Sequence, residues 1–151
     1  MGLLVVAVDI AVDKLALARE LGADATVDAG AADAVEQVRK LTGGGAHGVL
    51  VTAPSQAAFG QSIAMARRKG TVSLVGLPPG VFPTPIFDVV LKRITIRGSI
   101  VGTRRDLDEA IAFAADGKIR TQVSCEPLEA VNQVFARLAA GKVEGRVVLA
   151  L

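Results

Sequence analysis

Leu3-Leu4-Val5-Val6-Ala7-Val8 is an unbroken apolar run that stops at Asp9. A strand with one solvated face alternates apolar and polar side chains, so a continuous run predicts a strand covered on both faces, the habit of parallel sheets. The segments that follow agree. Asp13 is placed to cap a helix reaching about Leu21, with Leu15, Leu17, Ala18 and Leu21 on one face and Gly22 suited to the left-handed position that closes it. Ala25-Thr26-Val27 is a short strand. A helix over 31–41 ends at Gly43-Gly44-Gly45, and Val49-Leu50-Val51-Thr52-Ala53 is again a strand.

The next helix, over about 55–68, is read as finishing in Arg67-Arg68-Lys69-Gly70, where cations offset the negative end of the helix dipole and glycine permits the exit. A strand at 72–75 leads to Pro78-Pro79-Gly80 and Pro83, which force a loop. A short helix near 86–92 and a strand at 94–97 follow, then a helix near 106–115, a strand around 122–124, a helix over 127–139 and a closing strand at 146–150. Short β-branched runs alternating with amphipathic stretches predict an α/β protein, a parallel sheet covered by helices.

At 151 residues the working count is one domain with a real core. Apolar residues make up 51% of the chain, too many to remain solvated, which excludes a disordered protein. Every long apolar run is cut by a charge, glycine or proline before the roughly 18 residues a membrane span needs, so no membrane partner is expected. One cysteine and one histidine exclude a disulfide framework and a structural zinc site built from this sequence, and a cytoplasmic protein is expected. The net charge is only +2, and with no Trp or Tyr the chain lacks stacking platforms, so no nucleic acid is expected as a partner.

Gly43-Gly44-Gly45-Ala46-His47-Gly48 satisfies the dinucleotide pattern G-x-G-x-x-G literally. The pattern binds pyrophosphate only where the glycines follow a strand and open a helix. Here they follow a helix and precede a strand, at the wrong edge for a ligand in an open α/β sheet, so they read as a plain turn. Asp9 is the better candidate: an acid at the carboxyl end of a buried strand accepts hydrogen bonds from both ribose hydroxyls of an adenosine and repels a 2′-phosphate, favouring NAD over NADP. Lys14 lies within reach of the same ribose. Periodicity alone equally allows Asp9 to begin a turn. Such an acid normally follows its glycine loop by about 20 residues, and only eight precede Asp9, so the first strand, glycine loop and first helix are expected to be missing. His47 reads as an exposed turn residue. Cys125, without an activating neighbour, reads as an inert and commonly buried thiol. No catalytic residue is assigned.

Several motifs occur in a particular order. They are Val8-Asp9-Ile10 with Lys14-Leu15, Ala18-Arg19-Glu20-Leu21-Gly22-Ala23, Gly44-Gly45-Ala46-His47-Gly48-Val49, Gly70-Thr71-Val72, Val75-Gly76-Leu77-Pro78, Arg97-Gly98-Ser99-Ile100-Val101-Gly102 and Glu144-Gly145-Arg146-Val147-Val148-Leu149. The series resembles the coenzyme domain of bacterial zinc-dependent alcohol dehydrogenases of the medium-chain family. The resemblance implies a Rossmann-like, doubly wound parallel sheet lacking its first strand. Residues 1–151 would then be a partial NAD-binding domain with the C-terminal segment of a parent enzyme, which oxidises an alcohol to an aldehyde and passes the hydride to NAD. It implies that zinc ligands belong to a preceding domain. It makes Asp9 and Lys14 ribose contacts, and places Val51, Thr52 and Ala53 at the strand end flanking the cofactor. Val75, Gly76 and Leu77, with Ser99, Ile100 and Val101, would lie beside the nicotinamide. Arg146 would reach the pyrophosphate, or be a surface arginine after a turn glycine.

The isolated chain is therefore expected to be inactive and to bind NAD weakly or not at all. The alternatives are a noncatalytic self-associating module or a remnant fragment. In the family the dimer joins two sheets through the strand represented here by Ile94-Thr95-Ile96-Arg97-Gly98-Ser99, which implies a homo-oligomer. In the strand order 3-2-1-4-5-6 the missing strand is central, and the gap is expected to close by pairing of its neighbours or by a borrowed strand.

Overall fold

The computed structural model describes residues 2–151, which form two compact units, one extending to Val101 and the other Gly102–Leu151. Length alone pointed to one. In the first unit β1 (Val6–Asp9), α1 (Val12–Glu20), β2 (Ala25–Asp28), α2 (Ala34–Leu41), β3 (Ala46–Val51), α3 (Gln56–Met65), β4 (Ala66–Leu74), α4 (Ile86–Lys92) and β5 (Thr95–Gly98) alternate as the periodicity predicts. All pairings are parallel.

β1 pairs with β2, and β3, β4 and β5 form a separate three-stranded sheet in that order. The expected pairing of the two strands beside the gap does not occur: among the described residues β1 bonds only β2, and β3 only β4. Side chains, not a ladder, join the two halves. Val6 of β1 and Val49 of β3 pack against one buried cluster made by Val27, Ala34, Val38 and Met65. Gln61 Nε2 of α3 donates to the Ala29 carbonyl at 3.0 Å, and Arg39 Nε of α2 donates to the Ala64 carbonyl at 3.1 Å. The same open edge shortens the first strand. It starts at Val6, Leu3 and Leu4 are exposed, and none of β1 is buried on both faces as the apolar run predicted.

Two further expectations need correction. Asp13 does not cap α1; Ala11 occupies the N-cap without a side-chain bond, and Asp13 lies in the first turn, although Gly22 does close the helix at φ +102°. The third helix stops at Met65, and Arg67, Arg68 and Lys69 belong to β4. The reason is tertiary: a Cβ on Gly45 would lie 2.7 Å from the Arg67 amide nitrogen, so the chain after α3 is drawn extended across the glycine turn. Ala46 pairs with Ala66 and Gly48 with Thr71, so two steps along β3 match five along β4, and the basic triplet bulges out.

The core of the three-stranded half gathers Val51, Phe59, Ile63, Ala66, Val72 and Ile94, with Phe82 edge-on to Phe59 at 5.3 Å between centroids. Ile94 is buried and Ile96 packs inward, so the apolar side chains of the β5 run are already covered within the unit.

The second unit contains α5 (Arg104–Ala115), β6 (Val123–Pro127), a 3-10 turn (Leu128–Ala130), α6 (Val131–Ala139) and β7 (Arg146–Ala150). β6 and β7 pair in parallel. Thr103 caps α5 reciprocally with Asp106: its hydroxyl accepts from the Asp106 amide, and Asp106 Oδ2 accepts from the Thr103 amide at 2.6 Å. These bonds favour the ionised carboxyl and hold the Asp106 pKa below its ordinary value.

Candidate functional site

Strand β1 ends in Asp9, whose half-buried carboxylate accepts through Oδ1 from the Ala11 amide at 2.9 Å. Its Oδ2 has no hydrogen-bond partner among the described residues. Parallel register sets Asp28 beside it at the end of β2, and the Asp28 Oδ1 accepts from the Gly30 amide at 2.8 Å. The sequence reading missed Asp28. Its signal was the same as for Asp9, an acid where a β-branched run gives way to a glycine turn. Lys14, in the first turn of α1, is exposed and makes no ion pair among the described residues.

The carboxyl ends of β3, β4 and β5 are tied together by main-chain bonds that continue past the strands. The Val51 carbonyl accepts from the amides of both Val75 and Gly76 at 2.9 Å, and the Leu74 carbonyl accepts from the Ser99 amide at 2.9 Å. Gly76 makes the junction possible: a Cβ there would sit 2.4 Å from the Ala53 carbonyl oxygen and 3.0 Å from that of Thr52. No larger residue fits without moving the backbone. Around this junction Thr52, Ala53 and Ser99 are exposed, as are the apolar side chains of Leu77, Ile100 and Val101. Val101, a β-branched residue, takes φ +31°, a costly conformation for a side chain of that shape. The structure thus brings Val51, Thr52, Ala53, Val75, Gly76, Leu77 and Ser99 to one end of one sheet.

Arg146 belongs to the second unit, where it is exposed at the start of β7 and donates through Nη1 to the Gly145 carbonyl at 2.9 Å. The glycine turn 43–45 lies between α2 and β3, the topology that denies it a dinucleotide role. His47 is exposed on β3 itself, one residue inside the strand. Cys125 is exposed on β6, unlike the common buried thiol. Among the described residues no three His, Cys, Asp or Glu side chains converge as metal ligands, and no helix is long and apolar enough to cross a membrane.

Residues 1–116 match the model of the zinc-binding dehydrogenases. The chain belongs to the zinc-binding dehydrogenase family. It is 57% identical over 151 residues to an alcohol dehydrogenase of Rhizobium meliloti (strain 1021), a match covering all of this chain and 44% of the relative. Its fold superposes on an alcohol dehydrogenase of the hyperthermophilic archaeon Aeropyrum pernix with a TM-score of 0.88 at 36% identity, over 97% of this chain and 42% of the other. A solved NAD-dependent alcohol dehydrogenase gives 0.90 at 32% identity, over 99% and 44%. The alternating parallel arrangement is therefore the Rossmann-like one, and this zinc-binding dehydrogenase chain spans less than half the length of the relatives it matches.

Proposed function

We propose that the chain is the coenzyme-binding portion of an NAD-dependent, zinc-dependent alcohol dehydrogenase. The observation that carries this reading is the junction at Gly76, which sets three strand ends side by side at the edge where open α/β sheets bind their ligands. NAD, when bound, supplies the acceptor for the hydride taken from the alcohol. The chain's own groups bind and orient it. Asp9 holds the adenosine ribose through its unengaged Oδ2, with Lys14 beside the same sugar. Leu77, Ile100 and Val101 cover the nicotinamide face and exclude water, and main-chain groups near Val75 and Ser99 fix its carboxamide.

The charge of Asp28 next to Asp9 reinforces the choice of NAD, because a 2′-phosphate would meet two carboxylates. Replacing Asp9 with Ser in a full-length relative carrying these residues is expected to narrow or reverse the NAD preference. An unchanged ratio of kcat/KM for NAD and NADP rules Asp9 out as the selector. We also infer that these 151 residues by themselves turn over no alcohol, since their one His and one Cys cannot make up the family's zinc ligands. Turnover of ethanol with NAD and added zinc, scaling with the purified chain, would refute this. The sequence offers no glycine loop that opens a helix to receive pyrophosphate. NAD binding by this chain is accordingly expected to be weakened about a thousandfold, roughly 4 kcal/mol, relative to a site that has one. A low-micromolar dissociation constant by calorimetry would contradict it.

One observation favours a second reading, a self-associating module: β5 bonds β4 on one side and leaves its other edge open. A second copy pairing antiparallel along Ile94 to Ser99 would satisfy that edge. Thr95→Pro should then weaken a dimer seen by light scattering. A wild-type monomer at high micromolar concentration excludes the module.

A further inference from the structure

The glycine turn before β3, the start of β4 and the ends of α2 and α4 border an open cleft of about 580 Å³. Arg39 and Lys40 of α2, Arg67 and Arg68 of the β4 bulge and Lys92 at the end of α4 line it, with Glu36 as the lone acid. That is a surplus of four positive charges at one place, in a chain whose net charge is +2. The backbone of Gly43 and Gly44 forms part of the wall.

Helix ends alone do not account for this charge. The helices α2, α3 and α4 all finish at this edge, and each carboxyl end carries about half a negative charge. Together they offset less than half of the surplus, and Arg67 and Arg68 stand on a strand. Internal ion pairs consume only part of it. Arg39 meets Glu36 only at 3.9 Å, and Lys40, Arg67 and Arg68 make no ion pair among the described residues. Lys92 Nζ, shielded from solvent, is paired with Asp88 Oδ1 at 3.0 Å and is spoken for. Three cations without an ion pair among the described residues, Lys40, Arg67 and Arg68, at one open cleft point to an anion as their partner.

We propose that this cleft binds a small polyvalent phosphate of the pyrophosphate or phosphate-monoester class. Side chains of α2 and of the β4 bulge hold it, not a helix N-terminus, which is why the adjoining glycine turn needs no dinucleotide topology. Guanidinium forks of Arg67 and Arg68 suit phosphate oxygens bidentately, and with Lys40 they supply three unpaired cations for an anion carrying two or three charges. The site lies at the opposite end of β4 from the Gly76 junction.

Titration of the full chain with sodium pyrophosphate at fixed ionic strength, followed by calorimetry and by amide NMR shifts, tests the assignment. Saturable one-site binding is expected, with shifts centred on Gly43, Gly44 and residues 67–69. Arg67→Ala with Arg68→Ala should weaken it about tenfold or more, the effect of losing charge-assisted donors. Lys40→Ala should weaken it less. Arg104→Ala with Arg120→Ala, which removes equal charge from the second unit, should leave it within about twofold. Absence of saturation, unchanged binding by the Arg67/Arg68 variant, or an equal loss in the charge-matched control would each overturn the proposal. The folding of every variant is checked by its amide spectrum, and the Lys40 variant provides an independent reading if the arginine pair disturbs the bulge.

Discussion

In the first unit Ile63 and Val72 are wholly screened from solvent, whereas no residue of Gly102–Leu151 is buried. Both units use parallel strands joined through helices. The difference lies in the number of layers. Helix α3 packs onto a three-stranded sheet and also against α2, so its side chains meet apolar partners on more than one side. β6 and β7 form a two-stranded ladder, and Phe135, Leu138 and Val148 remain largely exposed. Burial is thus supplied by a second covering layer rather than by apolar content, because both stretches are rich in aliphatic residues.

The largest expected effect tests that contrast directly. Ile63→Ala should cost roughly 3 kcal/mol in chemical denaturation, with loss of the first unit's near-native signals, while Phe135→Ala, at a 62% exposed position, should cost under about 0.5 kcal/mol. Equal costs would mean that the second unit has a core of its own in solution. Next comes Gly76→Val, whose branched side chain enters backbone already at 2.4 Å from a bare Cβ; overpacking of about 1–3 kcal/mol is expected, with amide shifts spreading across residues 51–53 and 75–77. Thr103→Ala, which removes the only reciprocal cap seen on a described helix, should destabilise the second unit by about 1 kcal/mol and lower its helical circular dichroism.

The smallest effect is pH dependent. Folding lowers the Asp106 pKa, so the cap contributes fully above the ordinary aspartate range and its contribution fades as pH falls through the lowered folded value. Asp106→Asn should flatten this acid limb in the Thr103 amide titration. An unaltered limb would assign it to another group.

Where local chemistry decides, the sequence was readable to the residue: α4 spans Ile86–Lys92 and β7 spans Arg146–Ala150, as periodicity predicts. It misled where distant backbone decides. Cations followed by Gly70 after an apolar stretch imitate a helix terminus, yet Gly45 packing on Arg67 ends α3 early. The Leu3-Leu4-Val5 run looks doubly buried only if strands flank it on both sides, and one side is open. The candidate site was legible in part. Asp9 stood out as an acid ending an apolar run, but the interlock of Gly76 with Ala53 is invisible in one dimension, where Gly76 resembles any turn glycine. The charged cleft drew residues from three elements, and only folding assembles Arg39, Arg67 and Lys92.

The open seam between β1 and β3 has a thermal consequence. Ladder hydrogen bonds hold each sheet together, but the seam is joined chiefly by the apolar contacts of Val6, Val27, Val38, Val49 and Met65. Apolar association loses strength on cooling, unlike a strand ladder. The first unit therefore carries a built-in cold-sensitive joint: as temperature drops, its two halves should loosen from each other before either sheet frays.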